Sequence, residues 1–214
     1  EIRKELIGLE IEPEKIMVTG IPVDIKFAHS YSCKLLRVKN GLNTSLPTIL
    51  VMSGAYGMGD ITDICRYLAG FEEKIQVLVI AGNDEKLKRK IERIAEPSAN
   101  PFYVYGFVDN VFELMALSDL LISKAGGLTT TEALASNLPM LLYKPIPGQE
   151  VGNANYLRNM GVAEVAYNLK DFIRIFEKLM AQPQILKKMA DNCSKVKKPL
   201  ATIGASKLLL ELIK

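Results

Sequence analysis

Tryptophan is absent from this chain, and histidine occurs only once, as His29, on a polar stretch that is typical of a protein surface. The three cysteines, Cys33, Cys65 and Cys193, lie far apart and form no CxxC pair. A cysteine–histidine zinc site is therefore not expected, and neither is any other bound metal. Scattered cysteines of this kind are typical of the reducing cytosol, so we expect a cytoplasmic location.

Strong net charge and long apolar runs are also missing. The formal net charge is only +3 over 214 residues, and no segment combines aromatic residues with dense basic charge, which argues against nucleic-acid binding. No apolar run is long enough for a membrane-spanning helix. Hydrophobic residues nevertheless make up 49% of the chain, which indicates a well-packed globular domain. One group of lysines predicts a solvated helix face or, as a weaker alternative, contact with an anionic membrane surface: Lys187, Lys188, Lys195, Lys197 and Lys198.

Six short apolar runs alternate with helical patterns along the chain. The runs cover 48–53, 75–81, 102–105, 119–123, 139–143 and 162–166. They are apolar throughout, which is typical of strands covered on both faces of a parallel sheet. Helices are expected near 60–71, 84–95, 110–117, 128–136, 151–160, 171–181, 184–194 and 201–213. The pattern predicts an α/β fold with a doubly wound, six-stranded parallel sheet, that is, a Rossmann-like domain. Residues 16–23 (IMVTGIPV) predict a further short strand, and 29–47 a connector with one helix.

Glycine-rich loops follow the first and the fourth predicted strands. They are SGAYGMG at 53–59 and SKAGG at 123–127, and their candidate phosphate contacts are Gly54, Gly57, Gly126 and Gly127. In a doubly wound sheet the first and fourth strands are central neighbours, and ligands bind at their carboxyl ends. Glycine lets the backbone approach a phosphate, and a helix N-terminus favours negative charge. We therefore predict that both loops flank one diphosphate site, although the first could be only a tight turn.

The helix after the second glycine loop begins with three threonines and a glutamate. The hydroxyl of Thr129 could bond a phosphate oxygen, as could those of Thr130 and Thr131, and Lys124 adds a nearby cation. Glu132 has small or apolar neighbours, so its carboxylate needs a polar partner, and a ribose diol would be one. The alternative is that Thr129 and Glu132 form the capping box of an ordinary helix N-terminus.

A proline- and glycine-rich turn at 145–148 precedes Gln149, Glu150 and Asn153. Sugar hydroxyls both donate and accept hydrogen bonds, and a mixture of amides and a carboxylate suits them. These residues predict a sugar subsite, and the segment as a whole indicates a nucleotide-sugar site. The alternative is a plain helix N-terminus with an acidic first turn.

Phe107 and Val108 follow the third predicted strand, at the same edge of the predicted sheet. The flat ring of Phe107 could cover a nucleotide base, although a phenylalanine in such a place more often belongs to the core.

Five motifs in this order resemble the family 28 glycosyltransferases: VTGIPV, the glycine loop at 53–59, YGFVDN, SKAGGLTTTEAL and PGQEVGNA. Within that family the chain is similar to the diacylglycerol glucosyl- and galactosyltransferases, and less similar to the UDP-GlcNAc transferase that completes lipid II. The resemblance implies the C-terminal, donor-binding half of a two-domain GT-B fold. Residues 1–28 would then be a remnant of the N-terminal domain or the interdomain linker, 29–200 the nucleotide-sugar donor-binding domain, and 201–214 a C-terminal helix.

The resemblance also implies a role for each candidate residue. It places Glu132 on the ribose, Phe107 and Val108 by the uracil, Gly126, Gly127 and Thr129 at the diphosphate, Gln149 and Glu150 on the sugar, and Asn153 nearby. The implied reaction is an inverting hexose transfer from a UDP-sugar to diacylglycerol, with no cofactor. The lipid acceptor site and the base would lie in an N-terminal half, and the whole protein would contact the cytosolic membrane face peripherally. This chain alone is then expected to bind donor and to turn over little or not at all.

Three alternatives stay open. The chain could be the natural half of a two-chain UDP-GlcNAc transferase, or a UDP-sugar-sensing module without catalysis. A GT-B epimerase acting on UDP-GlcNAc is a third, although a single histidine, His29, does not favour it.

Overall fold

The computed structural model describes residues 2–52 and 61–213. The strands are β1 (Thr48–Met52), β2 (Gln76–Ile80), β3 (Phe102–Tyr105), β4 (Leu120–Ser123), β5 (Met140–Tyr143) and β6 (Ala163–Ala166). The helices are α1 (Ile2–Gly8), α2 (Cys33–Lys39), α3 (Ile61–Ala69), α4 (Glu85–Ala95), α5 (Val111–Ala116), α6 (Gly127–Ala135), α7 (Gln149–Asn159), α8 (Leu169–Ala181), α9 (Pro183–Val196) and α10 (Ala201–Leu212). Short 3₁₀ turns cover Pro13–Lys15 and Ile25–Ala28.

The six strands form one parallel sheet in the order β3-β2-β1-β4-β5-β6. The α/β, doubly wound, six-stranded prediction is therefore confirmed. β1 and β4 are hydrogen-bonded neighbours, with Val51 paired to Ile122, so the carboxyl ends of these two strands lie side by side. In the strand order, β2 lies on one side of this pair and β5 on the other, the arrangement in which ligands bind in a crevice at the carboxyl ends of the strands.

Both faces of the sheet are covered by helices, as the uniformly apolar strands predict. Side chains alternate between the faces along each strand, so Leu50 and Val51 of β1 enter different clusters. Leu50 packs in the cluster that contains residues of α5, α6 and α7. Val51 packs with residues of α3 and α8, including the fully buried Phe172 and Phe176.

The predicted helices are confirmed to within a few residues, including the single helix α2 in the connector at 29–47. Among the helices of the described ranges, none combines the length and the apolar character that crossing a membrane requires. His29 is exposed, as expected.

The strand predicted at 16–23 is wrong. Residues 16–24, here called the connecting segment, form no strand; they bond the C-terminal part of the chain instead of a sheet edge. The Lys198 Nζ donates to the carbonyl of Val18 at 3.0 Å, and the Thr202 hydroxyl donates to the carbonyl of Val23. Gly20 has a φ of +90°, and a β-carbon there would lie 3.1 Å from Lys198. Val23 is buried, whereas Met17, Val18 and Ile21 are exposed, so the run is apolar without pairing as a strand.

The amino-terminal edge of the sheet is held by an ion pair. Arg37 is buried, and its Nη2 donates to Asp119 Oδ2 at 2.6 Å; the same oxygen accepts from the Thr48 amide at 2.7 Å. A cavity of about 460 Å³ opens beside this pair. It is lined by residues that precede β1 and β4, so it lies at the opposite edge of the sheet from the carboxyl ends of these strands and is not part of the predicted site.

Candidate functional site

The candidate site lies at the carboxyl edge of the sheet, where β1 and β4 end together. β1 ends at Met52 and β4 at Ser123, and the pairing of Val51 with Ile122 places these ends next to each other. The predicted convergence of the strands that carry the two glycine loops is therefore present. The first loop, with the candidates Gly54 and Gly57, lies outside the described residues.

The second glycine loop leads directly into α6. This helix begins at Gly127, with Gly126 as its N-cap, and no side chain at the cap position bonds the first turn. Backbone N–H groups in a first helical turn have no partner within the helix, and the helix dipole favours an anion there. A β-carbon on Gly126 would meet no described atom within 4 Å, so the backbone is accessible at this point. The loop has the properties that a diphosphate needs.

The three threonines of α6 differ in their hydrogen bonds. Thr130 and Thr131 each donate a hydroxyl to a backbone carbonyl one turn back, those of Gly126 and Gly127, at 2.8 Å. Their hydroxyls therefore stabilise the start of the helix and are not free to serve a phosphate, contrary to the sequence-based expectation. Thr129 is half-buried in the first turn and remains the threonine suited to a phosphate contact.

Glu132 lies in the second turn of α6, because the helix begins two residues before Thr129. The capping-box interpretation of Thr129 and Glu132 is therefore wrong. Burial raises the pKa of the Glu132 carboxyl, and the negative charge of Asp24 raises it further. Among the ion pairs found in the described ranges, none includes Glu132. A half-buried carboxylate in this state is stabilised by hydroxyl donors, which a ribose diol would supply.

Two residues of the connecting segment, Ile21 and Asp24, adjoin the site, and the sequence analysis did not place them there. A β-carbon on Gly127 would lie 3.4 Å from the Ile21 side chain, so Ile21 covers the start of α6. Asp24 accepts a hydrogen bond from the Lys26 amide at 2.8 Å and lies near Glu132. Ile21 lies within the VTGIPV motif and Asp24 follows it directly, but nothing local in that motif indicates which helix it contacts.

The three polar residues at the start of α7 have different roles in the structure. α7 begins at Gln149, two residues earlier than expected, and its N-cap Gly148 has a φ of +98°. Gln149 is exposed. Glu150 is in the first turn, as the plain helix interpretation expects, and its Oε2 accepts from the Ile146 amide at 2.9 Å. Asn153 Nδ2 donates to the carbonyl of Ala125 at 2.9 Å, which joins α7 to the second glycine loop.

Phe107 and Val108 follow β3 at the same edge of the sheet. Phe107 is 73% exposed, so it is not part of the core, and its ring is free to cover a ligand. Val108 is half-buried against the core cluster that also contains residues of α5. β3 lies two strands from β1 in the sheet, so these residues occupy one end of the crevice edge.

In the part of the candidate site that the structure describes, metal-ligating side chains do not cluster. Within residues 2–52 and 61–213, no group of three or more His, Cys, Asp or Glu side chains could hold a metal ion. That the protein uses no cofactor remains a prediction from the sequence.

The chain matches a protein-family model. The model described as the glycosyltransferase family 28 C-terminal domain covers residues 48–202. The processive diacylglycerol beta-glucosyltransferase of Bacillus subtilis (strain 168) is 30% identical over 211 residues, covering 98% of this chain and 54% of that protein. The protein with the same name from Bacillus cytotoxicus is 32% identical over 181 residues, covering 84% of this chain and 46% of that protein. The chain spans about half the length of the relatives it matches.

Solved structures share the fold at low sequence identity. MurG of Acinetobacter baumannii superposes with a TM-score of 0.72 at 18% identity, over 86% of this chain and 55% of that one. UDP-GlcNAc 2-epimerase from Neisseria meningitidis, solved with UDP-GlcNAc, gives 0.72 at 18% identity, over 98% and 58%. Anabaena Alr3699/HepE, solved with UDP-glucose, gives 0.65 at 16% identity, over 98% and 61%. These likenesses concern the fold alone.

Proposed function

This chain belongs to glycosyltransferase family 28 through its C-terminal domain, and from that membership we propose that it is the donor-binding half of an inverting hexosyltransferase. The donor would be a UDP-sugar and the acceptor diacylglycerol. The names of the relatives, processive diacylglycerol beta-glucosyltransferases, favour glucose as the hexose. Because the chain spans about half their length, we place the acceptor site and the base in the other half.

The spacing of residues on α6 is the observation that carries the proposal. Glu132 follows Thr129 by three positions and Leu128 by four, so it shares a helix face with the first turn. Glu132 lies five positions after Gly127, a rise along the helix of about 7.5 Å at about 1.5 Å per residue. Helical side chains lean toward the N-terminus, which brings the carboxylate closer still. A diphosphate at the first turn and its ribose at Glu132 fit this separation.

The chain's own contribution to the reaction would be electrostatic. An acceptor oxygen attacks C1 of the hexose, the bond between C1 and the diphosphate oxygen breaks, and its electron pair leaves with UDP. Negative charge on the diphosphate rises in that step, and the N–H groups at the start of α6 are already aimed where it develops. The proton of the acceptor hydroxyl would go to a base outside this chain.

Calorimetric titration with UDP, UDP-glucose, UDP-galactose and UDP-GlcNAc tests the proposal. Glu132→Ala should weaken all four ligands by about 1–3 kcal/mol, the cost of losing a hydrogen bond to a charged group. Glu164→Ala is the matched control, because Glu164 is a half-buried glutamate on the edge strand β6. If the unmodified chain binds none of the UDP ligands, the proposal is wrong. If Glu132→Ala binds them as tightly as the unmodified chain does, Glu132 is not part of the site.

The sugar subsite is tested separately through Gln149. This residue is exposed at the first position of α7, and we propose that its amide bonds hydroxyls of the hexose. Gln149→Ala should leave UDP affinity unchanged and weaken the UDP-hexoses by about 1 kcal/mol. The ranking of the three UDP-sugars would identify the hexose. If Gln149→Ala weakens the binding of UDP as well, Gln149 does not act on the hexose alone, and the assignment to the sugar subsite is wrong.

A further inference from the structure

We propose that Asn153 is a positioning residue that orients the diphosphate-binding backbone, and not a contact to the sugar. Its amide holds residues 124–127, here called the donor loop, against helix α7. The inference rests on the proposed donor function, and it replaces the sugar contact that the sequence pattern predicts for this residue.

The hydrogen bond that carries the proposal is well defined. Asn153 Nδ2 lies 2.9 Å from the carbonyl oxygen of Ala125. A carbonyl only accepts hydrogen bonds, so the NH₂ side of the Asn153 amide must face it. Both ends are anchored: Ala125 is fully buried, and Ala154, the residue after Asn153, is fully buried on the inner face of α7. The bond therefore joins two fixed parts of the fold.

The Ala125 carbonyl needs such a partner because it lies between two regular elements. β4 ends at Ser123 and α6 begins at Gly127, so neither the sheet nor the helix supplies a donor for it. The preceding carbonyl, that of Lys124, is bonded by the Ser123 hydroxyl at 2.9 Å. Side chains thus hold the carbonyls of Lys124 and Ala125 in place.

The direction of the Ala125 carbonyl also sets the direction of a candidate ligand group. In a planar trans peptide the C=O and the following N–H point opposite ways. With the Ala125 oxygen held toward Asn153, the Gly126 N–H points away from α7. Gly126 has no β-carbon to limit approach from that side, and its N–H is among the groups we assign to the diphosphate. Asn153 therefore acts on the diphosphate end of the donor, although it resides on the helix that begins the sugar subsite.

Asn153→Leu tests the inference, because leucine keeps the side-chain volume, adds no charge and removes the donor. The matched control is Asn155→Leu on the same helix, since the Asn155 amide only accepts a long bond of 3.4 Å from Arg158. Each variant would be titrated with UDP and with UDP-glucose. We expect Asn153→Leu to weaken both ligands by the same factor, about three- to tenfold for one lost hydrogen bond, and Asn155→Leu to change neither.

The pattern across ligands distinguishes positioning from sugar contact. A loss confined to UDP-glucose, as expected for Gln149→Ala, would overturn the inference, and so would unchanged affinity for both ligands. Asn153→Ala serves as a second variant if the leucine does not fit.

Amide hydrogen exchange tests the same bond without any ligand. In Asn153→Leu the amide of Thr130, which donates to the Gly126 carbonyl of the donor loop at 3.0 Å, should exchange faster than in Asn155→Leu, while those of β4 stay protected. Equal exchange in the two variants would overturn the inference. If the unmodified chain binds no UDP ligand, the donor proposal is wrong. The exchange rates then still test, without any ligand, whether Asn153 holds the donor loop.

Discussion

The carboxylate of Asp24 lies close enough to Glu132 for its negative charge to act on the proton of the other side chain. Burial raises the pKa of Glu132, and the charge of Asp24 raises it further. Asp24 ends the connecting segment and Glu132 lies in the second turn of α6, so the pair joins two distant parts of the chain at the candidate site.

UDP affinity is therefore expected to depend on pH. A charged Glu132 accepts hydrogen bonds from the ribose, so UDP affinity is highest above the raised pKa, and part of it is lost as the pH falls through that pKa. This loss should occur above the ordinary glutamate value of 4.5. Asp24→Asn removes the charge and keeps an oxygen for the Lys26 amide, so it should move the loss to lower pH. UDP titrations between about pH 4 and about pH 8 measure both midpoints.

Asp84→Asn is the control for the pH experiment. Asp84 is an exposed cap residue that accepts from the Leu87 amide at 2.9 Å, and it lies on the loop that begins α4. This variant should leave the midpoint where it is. If the midpoint of the affinity loss stays the same in Asp24→Asn, the carboxylates of Asp24 and Glu132 do not interact.

Loss of the Asp119 carboxylate should destabilise the whole domain. In Asp119→Ala, the buried Arg37 guanidinium and the Thr48 amide both lose their shared acceptor. Breaking a buried pair costs about 3–5 kcal/mol, but Asp119 is 39% exposed, so water reaches the site and we expect about 2–3 kcal/mol. Urea unfolding measures this difference. Asp63→Ala, which breaks the exposed pair with Arg66, should cost about 0.5 kcal/mol or less.

The same variants separate stability from binding. Asp119 lies at the amino-terminal edge of the sheet, opposite the candidate site. UDP affinity of folded Asp119→Ala should therefore equal that of the unmodified chain, and a large loss of affinity would contradict the placement of the site at the carboxyl edge.

Gly148→Ala should weaken UDP-hexoses through the backbone. Gly148 has φ +98° and ψ −129°, a conformation nearly restricted to glycine, so alanine there costs about 1–3 kcal/mol of strain or forces the turn to move. Either change displaces Gln149 at the start of α7. Gly152→Ala is the matched control within α7, where a β-carbon meets no described atom within 4 Å and should add about 0.5–1 kcal/mol of stability. Calorimetry and thermal unfolding report the two effects.

The 214-residue chain by itself should bind donor and transfer no measurable hexose to diacylglycerol. We expect this because the acceptor site and the base are placed in the other half of the protein, and relatives are about twice as long as the chain. An assay with radiolabelled UDP-glucose and diacylglycerol vesicles measures transfer. Product formed by the chain alone would contradict the division of roles.

The fold and much of the site could be predicted because their signals are local. Apolar runs such as 77–80 identify parallel strands, and alternation with helices predicts the central position of β1 and β4. The segment 16–23 shows the limit of this method, since its apolar residues predict a strand although Met17 and Val18 are exposed and the segment forms no strand. Glu132 shows another limit, because a capping box and a second-turn glutamate share one sequence pattern.

The amino-acid sequence by itself determined the parallel sheet, the second glycine loop at its carboxyl edge and the residue types available there, because periodicity and glycine content act within a few residues. Only the tertiary structure decided that Asn153 bonds the Ala125 carbonyl, that Glu150 closes its own turn, and that Ile21 and Asp24 reach α6. Apart from the local bond of Glu150, these contacts join residues far apart in the chain. Which distant groups meet depends on how the helices and the connecting segment pack against the finished sheet, and no short stretch of sequence contains that information.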